Sequence, residues 1–239
     1  SYHILRRRKY MEKINNETTN ELRSIGTNPI NIGMNAPNFM ANTTMGNIKL
    51  SDFNGKWLIL FSHPGDFTPV CTTEFIAFSK MYPEFQKRNC NLLGLSIDSN
   101  PSHLSWVYNI YRSTGITVPF PIICDINMEI SKMYGMISPS VSNTSTVRKV
   151  FIIDPNQVVR CILTYPMSCG RNICEILRIL DSLQNTDNNS TSTPANWVPG
   201  QATIISPPNT YNQLMERVSE KDGFTCLDWY LCFNEKNEI

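Results

Sequence analysis

The 239-residue sequence lacks long apolar runs and an excess of charge of either sign. A representative apolar run, Trp57–Phe61, stops well short of the ~20 residues that a membrane-spanning helix needs. Lysine plus arginine (21) nearly balances aspartate plus glutamate (20), so a general electrostatic attraction to nucleic acid or to an anionic membrane is not expected. These absences predict a protein that functions without nucleic acid and without a membrane.

No two of the eight cysteines have the C-x2-C spacing of zinc sites and of dithiol oxidoreductases, which weakens both interpretations. Three histidines, His3, His63 and His103, are all that the chain offers to complete a metal site, so a structural zinc site is not expected. The cysteines also show no framework spacing, and a chain of this length does not need disulfide staples. We therefore expect a reducing compartment and a cytoplasmic location.

Residues 1–30 predict a flexible N-terminal extension, because they are polar and have little apolar periodicity. The run Arg6-Arg7-Arg8 is compatible with an organelle transit peptide. Glu12 argues against one, as do the further glutamates nearby, since transit peptides contain few acidic residues. A solvated arm is the favoured interpretation, and organelle import stays open.

Strand and helix patterns alternate across residues 31–185 and predict one α/β domain, a sandwich with a mixed central sheet. The polar stretch 184–194 predicts a loop. Residues 186–239 predict a C-terminal arm that is too small to fold alone and that packs on the main domain or on a partner subunit. Short apolar runs predict strands at 57–61, 91–97, 120–124, 149–153 and 158–165, and helical spacing predicts helices at about 72–85, 102–111, 129–134, 173–183 and 209–218.

Cys71 is the candidate nucleophile. It follows a predicted buried strand and a loop that contains Pro64 and Gly65, and it opens a predicted amphipathic helix. Its sulfur would lie among the free N–H groups at the positive end of the helix dipole, a place that favours the reactive thiolate. A cysteine taken alone is more often a small buried apolar residue, so its neighbours decide between the two interpretations.

Those neighbours resemble a known active-site signature. Pro64-x3-Thr68-x2-Cys71, within the segment 61–74, resembles the signature of the peroxiredoxins. The resemblance covers the chain from about residue 30 to its end, and it implies a thioredoxin-like fold with a C-terminal dimerisation arm. It also implies a thiol-dependent peroxidase that reduces hydrogen peroxide and organic hydroperoxides with no cofactor, that is, without metal, haem or flavin. In physical terms, Pro64 would limit solvent at the sulfur, and the Thr68 hydroxyl would accept from the peroxide and donate toward the thiolate, which holds the peroxide oxygens in line with the sulfur.

The resemblance implies roles for four further residues. Arg148, just before the predicted strand 149–153, stands where the family has an arginine that favours the thiolate and stabilises negative charge on the leaving oxygen. Glu74 would orient that arginine, and Arg171 matches a second arginine of the family. His63, which precedes the signature proline as in the one-cysteine subgroup, would form a hydrogen bond with the sulfur or with its oxidised form.

Attack on a peroxide would leave Cys71 as a sulfenic acid, which either waits for an external thiol or condenses with a second cysteine. The chain lacks the Val-Cys-Pro motif of typical two-cysteine members. Its segment 226–232 resembles the arm of archaeal and bacterial members with one-cysteine architecture, which implies resolution by Cys232 of a partner chain, with Cys226 in reserve. The remaining cysteines are expected to be core or strand residues: Cys90, Cys124, Cys161, Cys169 and Cys174.

By the same resemblance, electrons would come from a thiol reductant, either a thioredoxin-like protein or glutathione. The arm implies a homodimer, and relatives form decamers. A peroxide sensor or chaperone-like protein that uses the same cysteine with little turnover is the alternative. The phospholipase activity of the mammalian one-cysteine enzyme is not expected, because Lys56 stands where that enzyme has its serine nucleophile.

Overall fold

The structure, a computed structural model, describes residues 29–219 and 224–234. Every element named below belongs to one compact unit, Ile32–Ile239. The predicted N-terminal extension lies outside the described residues except for its last two positions. Within the described ranges, no helix combines the length and the apolar character needed to cross a bilayer.

Seven strands form one mixed sheet in the order β2-β1-β5-β4-β3-β6-β7. The neighbours β3, β4 and β5 run parallel, whereas β1 and β6 pair antiparallel with β5 and β3, and β2 and β7 form antiparallel edges. The predicted mixed sheet is therefore confirmed. The strands are β1 (Met40–Thr43), β2 (Gly46–Lys49), β3 (Trp57–Ser62), β4 (Cys90–Ser96), β5 (Ile122–Cys124), β6 (Arg148–Ile153) and β7 (Val159–Tyr165).

Helices begin and end at residues suited to those positions. The Ser99 hydroxyl accepts a hydrogen bond from the Ser102 N–H at 3.3 Å at the start of α2, and Gly115 ends α2 with a φ of 74°, which glycine adopts without steric cost. Asn172 starts α4 by accepting from the Glu175 N–H at 3.1 Å. The helices are α1 (Pro69–Lys87), α2 (Asn100–Thr114), α3 (Glu129–Met133), α4 (Ile173–Asn189) and α5 (Tyr211–Ser219), with a 3-10 turn at Leu50–Phe53.

Aromatic side chains between the sheet and α1 form the centre of the core. Phe61 of β3 stacks on Phe78 of α1 with ring centroids 4.2 Å apart. The rings of Phe75 and Phe120 lie 5.5 Å and 5.8 Å from that of Phe61, and all four side chains are buried. Because each ring buries a large apolar area, this packing fixes α1 against β3 and so fixes both ends of the loop between them.

The expected loop at 184–194 is wrong in its first half, because α4 continues to Asn189 and ends at Ser190 with a φ of 52°. Polar side chains hold this last part of the helix through tertiary contacts. Gln184 donates to the Arg88 carbonyl at 2.7 Å, and Asp187 pairs with Arg160 of β7 at 2.7 Å. Composition alone favours a loop here, since these partners are distant in sequence.

The C-terminal arm contains α5 and a second sheet of three antiparallel strands in the order β8-β10-β9. These strands are β8 (Thr203–Ile204), β9 (Phe224–Asp228) and β10 (Leu231–Asn234). Cys232 is buried, whereas Leu227 and Tyr230 of the same hairpin are exposed. The arm therefore presents apolar side chains on its surface.

Replacing Phe78 with alanine should lower the free energy of unfolding by about 3–5 kcal/mol, because the change removes a buried ring that stacks on Phe61 and leaves a cavity. Urea denaturation followed by circular dichroism measures the loss. Tyr111→Ala is the control, since the Tyr111 ring is half exposed, and its effect should stay within about 0.5 kcal/mol. Equal losses in the two variants would contradict the central place of Phe78 in the core.

Candidate active site

Cys71 is the third residue of α1, after Thr68 as the N-cap and Pro69 as the first helical residue. The active-site loop, residues 63–68, connects the end of β3 to this helix. Phe67 within the loop has a φ of 55°, a backbone conformation that costs free energy in a bulky residue. The predicted position of Cys71 at a helix start is therefore confirmed. Its side chain is fully buried, so the sulfur is shielded from bulk water.

Arg148 lies against the sulfur. Its Nη1 is 3.3 Å from the Cys71 Sγ, and its side chain is almost completely buried. The Nε and Nη2 atoms donate to the Met167 carbonyl at 2.9 Å and 2.6 Å, which fixes the plane of the guanidinium. The structure therefore places Arg148 where the sequence predicts it.

Glu74 links both arginines of the site. Its carboxylate accepts from the Arg148 Nη1 at 2.8 Å and from the Arg171 Nε, Nη2 and backbone N–H at 2.9, 2.6 and 2.8 Å. Burial raises the pKa of Glu74, but the hydrogen bonds and charge of Arg171 outweigh it and hold that pKa below its usual range. Glu74 thus stays ionised and contacts both arginines, and its role in orienting Arg148 stays a prediction.

Arg171 is the second arginine that binds the Glu74 carboxylate. It is buried, donates to the Ser62 carbonyl at 2.9 Å, and lies over the Phe61 ring at 5.1 Å. Burial lowers the pKa of Arg171, and the hydrogen bonds and charge of Glu74 offset part of that shift. Arg171 is therefore connected to the sulfur through Glu74 and Arg148.

Thr68 differs in detail from its expected role. Its hydroxyl donates to the Gly65 carbonyl at 2.8 Å, inside the active-site loop, and therefore does not point its proton at the thiolate. An oxygen that donates in this way still has lone pairs with which to accept from a peroxide O–H. Pro64 is half buried beside it. Contact of either residue with a peroxide stays a prediction.

His63 is fully buried, with its Nε2 2.9 Å from the Asp66 Oδ1. Burial lowers the pKa of His63, and the Asp66 hydrogen bond and charge offset part of the shift, so the ring is neutral near pH 7. Sequence reasoning singled out His63 but missed Asp66 and His103, which hydrogen-bond to each other at 2.8 Å. Asp66 lies inside the signature segment and could have been found there, whereas nothing near His103 in the sequence points to the site.

Cys232, the expected resolving cysteine, forms a disulfide that the sequence analysis did not predict. Cys232 is joined to Cys226 of the same chain by a disulfide across β9 and β10. Pairing of Cys232 with Cys71 of a partner chain therefore stays a prediction, and it requires a reduced arm. The core prediction fails for Cys169 and Cys174, which are both exposed because they lie on the loop before α4 and on the outer face of α4.

Replacing Glu74 with glutamine should lower the free energy of unfolding by about 3–5 kcal/mol, because two buried guanidinium groups lose the charge that they share. The folded-state pKa of Glu74 lies below its unfolded value, so this stabilisation is present above about pH 4.3 and is lost as the pH falls through the folded-state pKa. Urea titrations at pH 7 and at about pH 3.5 should therefore show a smaller difference between wild type and variant at the lower pH.

Glu84→Gln is the matched control for this prediction, because Glu84 also contacts two cations, Lys87 and Arg88, but lies on the surface of α1. Its replacement should have little effect on stability at either pH. A loss of stability in Glu74→Gln no larger than in this control would show that the buried cluster does not depend on the Glu74 charge.

Two models of known protein families match this chain. A model of the AhpC/TSA family matches residues 32–162, and a model of the C-terminal domain of 1-Cys peroxiredoxin matches residues 182–221. Peroxiredoxin 2 of Caldanaerobacter subterraneus subsp. tengcongensis is 59% identical over 204 residues, which cover 85% of this chain and 92% of that protein. A peroxiredoxin of Aquifex aeolicus is 51% identical over 212 residues, which cover 84% of this chain and 95% of that protein.

Solved structures agree. The yeast mitochondrial 1-Cys peroxiredoxin, studied for thiol resolution via the glutathione and thioredoxin systems, matches with a TM-score of 0.75 and 40% identity over 86% of this chain and 99% of that one. A cysteine-to-serine mutant of peroxiredoxin 6 of Arenicola marina matches with a TM-score of 0.75 and 34% identity over 86% of this chain and 97% of that one. The thioredoxin-like fold with a C-terminal extension is thus confirmed, and the chain belongs to the peroxiredoxins, thiol-dependent peroxidases of the AhpC/TSA family.

Proposed function

We propose that this peroxiredoxin reduces hydrogen peroxide and organic hydroperoxides through a sulfenic acid on Cys71. The observation that carries the proposal is the 3.3 Å contact between the Arg148 Nη1 and the Cys71 sulfur in a site closed to bulk water. A guanidinium at this distance can stabilise the negative charge that develops on the departing oxygen, because little solvent is present to screen the interaction.

In the proposed reaction, the Cys71 thiolate attacks one peroxide oxygen, and the O–O bond breaks as the S–O bond forms. The sulfur is oxidised to a sulfenic acid, and the peroxide is reduced to hydroxide or alkoxide, which takes up a proton to become water or an alcohol. Arg148 stabilises the negative charge that moves from the sulfur to the departing oxygen. We assign Pro64 to the exclusion of solvent and Thr68 to the acceptance of the peroxide O–H.

His63 is proposed to accept a hydrogen bond near the sulfur or its oxidised form. Its neutral, buried ring supports this assignment, because the Nε2 faces Asp66 and the Nδ1 has no hydrogen-bond partner among the described residues. A neutral imidazole can accept a hydrogen bond at its unprotonated nitrogen.

For resolution we propose that Cys232 of a partner chain attacks the Cys71 sulfenic acid, which releases water and forms an intersubunit disulfide. The Cys226–Cys232 bond supports a second step. When the Cys226 thiolate attacks Cys232 in that mixed disulfide, the bond moves to Cys226–Cys232, and Cys71 leaves as a thiolate ready for another peroxide. A thioredoxin-like protein or glutathione would then reduce the arm.

The assembly proposed for this cycle is a homodimer, which further contacts extend to a decamer. The arm supports it, because the Leu227, Trp229 and Tyr230 side chains are exposed beside the buried Cys232, and clustered apolar side chains on a surface are typical of protein contacts. We also propose a cytoplasmic location. Six of the eight cysteines are free thiols, which fits a reducing compartment.

Arg148→Lys tests the proposed chemistry, because lysine keeps the charge but cannot hold the two bonds to the Met167 carbonyl while it contacts the sulfur. The rate constant for oxidation of Cys71 by hydrogen peroxide, measured by stopped-flow tryptophan fluorescence, should fall by about 100- to 1000-fold. Arg160→Lys is the control, since Arg160 pairs with Asp154 and Asp187, and it should react at the wild-type rate. An unchanged rate in Arg148→Lys would remove Arg148 from the reaction.

Turnover separates the peroxidase from the sensor alternative. Wild type supplied with thioredoxin, thioredoxin reductase and NADPH, or with glutathione, should consume peroxide continuously, whereas Cys71→Ser should consume none. Rapid oxidation of Cys71 without sustained consumption of peroxide with either reductant would favour the sensor.

Cysteine variants test the resolution pathway. After full reduction, removal of the reductant and addition of one equivalent of peroxide, Cys226→Ser should accumulate a covalent dimer on non-reducing electrophoresis, because the Cys71–Cys232 bond forms but cannot move on. Cys232→Ser should give no such dimer and should retain a Cys71 sulfenic acid detectable by mass spectrometry. Cys169→Ser is the control for an exposed thiol and should behave as wild type. A dimer that survives Cys232→Ser would exclude Cys232 as the resolving residue.

A further inference from the structure

A second buried polar cluster includes two residues of the active-site loop, and of its members only His63 has a role in the reaction proposed above. Its hub is the Asp66 carboxylate, which is 2.9 Å from the His63 Nε2, 2.8 Å from the His103 Nδ1 and 2.9 Å from the Ser102 hydroxyl. Both imidazole rings are fully buried, and the Asp66 side chain is nearly so. A buried polar group without a hydrogen-bond partner costs free energy. The partners of each ring nitrogen therefore indicate which nitrogens carry protons.

The partners of His103 determine where its protons lie. Its Nδ1 faces the Asp66 carboxylate, and its Nε2 faces the Ile123 carbonyl oxygen at 3.1 Å. Both partners only accept hydrogen bonds when Asp66 is ionised, so hydrogen bonds at both positions would need a proton on each ring nitrogen. Asp66 is ionised, because the hydrogen bonds from His103 and His63 outweigh the effect of burial and hold its pKa well below the usual range.

The proton of His63 is fixed by the same carboxylate. Its Nε2 must donate to Asp66, whereas its Nδ1 is buried without a hydrogen-bond partner in the part of the chain that the structure describes. A proton on Nδ1 would be a buried unsatisfied donor, which is unfavourable. His63 is therefore neutral, with its single proton on Nε2.

The cluster also anchors the backbone of the active-site loop. The Asp66 N–H donates to the Asp98 carboxylate at 3.0 Å, and Asp98 in turn accepts from the Ser96 hydroxyl at 2.6 Å, at the end of β4. Through His103 and Ser102 the Asp66 side chain is tied to α2, and His103 continues to β5. Three elements of the sheet and helix layer thus hold the residue that lies midway between Pro64 and Thr68.

We propose that Asp66 and His103 form a buried ion pair that positions the active-site loop for peroxide and keeps His63 as the Nε2–H tautomer, with Nδ1 as a bare acceptor. Both are positioning residues, since they act through Pro64, Thr68 and His63. Asp66 also excludes the opposite tautomer, because a bare Nε2 would face a carboxylate with no proton between them. The expected effect on the rate of Cys71 oxidation rests on the proposed peroxidase function. The proton assignments of His63 and His103 rest on their hydrogen-bond partners alone.

The four groups His63, Asp66, Asp98 and His103 also have ligand atoms within 4.8 Å of one another, as a divalent metal site would. Hydrogen bonds already account for the Asp66 oxygens and for the facing ring nitrogens, and a metal would have to replace the protons in them. We therefore assign the cluster to hydrogen bonding, and metal analysis is one arm of the test.

Nitrogen-15 NMR of the histidine rings tests the proton assignments. The chain has three histidines, so His3→Gln, His63→Gln and His103→Gln assign every ring signal. At pH 7 we expect two protonated nitrogens in His103 and one, Nε2, in His63. The same signals should appear in Cys71→Ser, which cannot react with peroxide. Neutral His103, or His63 with its proton on Nδ1, would overturn the ion pair even if the peroxidase chemistry is correct.

Asp66→Asn tests the positioning role, because the carboxamide has no charge and only one accepting oxygen. We expect His103 to lose its second proton and the rate constant for Cys71 oxidation to fall by as much as ~100-fold, the effect of a small misplacement of a catalytic geometry. Asp125→Asn is the matched control. Asp125 is another buried aspartate, which accepts from the Ile130 and Ser131 N–H groups at the start of α3, so the histidine signals and the rate should stay as in wild type.

Four outcomes bear on the positioning role of Asp66. A wild-type rate in Asp66→Asn would overturn the positioning role, and an equal loss of rate in Asp125→Asn would show that the loss reflects general destabilisation. If Asp66→Asn does not fold, the wild-type NMR spectrum and the oxidation rate of His103→Gln, which keeps one donor, make the same test. A stoichiometric metal in purified wild type, measured by plasma mass spectrometry and removed by EDTA with a change in the histidine signals, would also overturn the proposal.

Discussion

The site depends on one buried carboxylate. Glu74 accepts hydrogen bonds from both Arg148 and Arg171, and without it two guanidinium groups would lie close together in a region closed to water. Charge counting shows why this matters for the sulfur. The two arginines and Glu74 leave one positive charge uncompensated, and the group in contact with that charge is the Cys71 sulfur. Negative charge that develops beside the sulfur during the proposed reaction would therefore lie next to this uncompensated positive charge.

Ordinary packing brings these charges together. Glu74 and Cys71 lie on the first turns of α1, Arg148 begins β6, and Arg171 precedes α4, so the cluster forms only when the helix and the sheet are docked. The aromatic core beneath supplies that docking, and it touches the cluster directly, because the Arg171 guanidinium lies over the Phe61 ring. Apolar burial therefore supplies the free energy that holds α1 against β3, and the ion pairs set the alignment of the sulfur within that frame.

The sequence predicts what depends on local pattern. Apolar periodicity indicates most strands and helices, and the short signature around Cys71 indicates the nucleophile and, through the family resemblance, Arg148. Features that depend on distant partners are not visible in this way. His103 joins the site from 37 positions beyond Asp66, so neither residue signals the other. The last turns of α4 look like a loop because the contact of Asp187 with Arg160 spans 27 positions. Cys226 and Cys232 are close in sequence, yet their bond depends on a hairpin register that composition does not specify.

The active-site loop lies between two polar clusters with different tasks. In the roles proposed above, the charge of Glu74 and the arginines acts on the sulfur, whereas the hydrogen bonds of Asp66 and the histidines hold the backbone of the loop in place. The conformation of Phe67 explains why position needs its own support. Its φ of 55° places a bulky residue in the left-handed region, which costs on the order of 1–3 kcal/mol, and such strain persists only where the surroundings hold it. Asp66 is the adjacent residue, bonded through both its N–H and its carboxylate. The buried hydrogen bonds of Asp66 thus offset the strain of the backbone conformation with which the chain turns from β3 into α1.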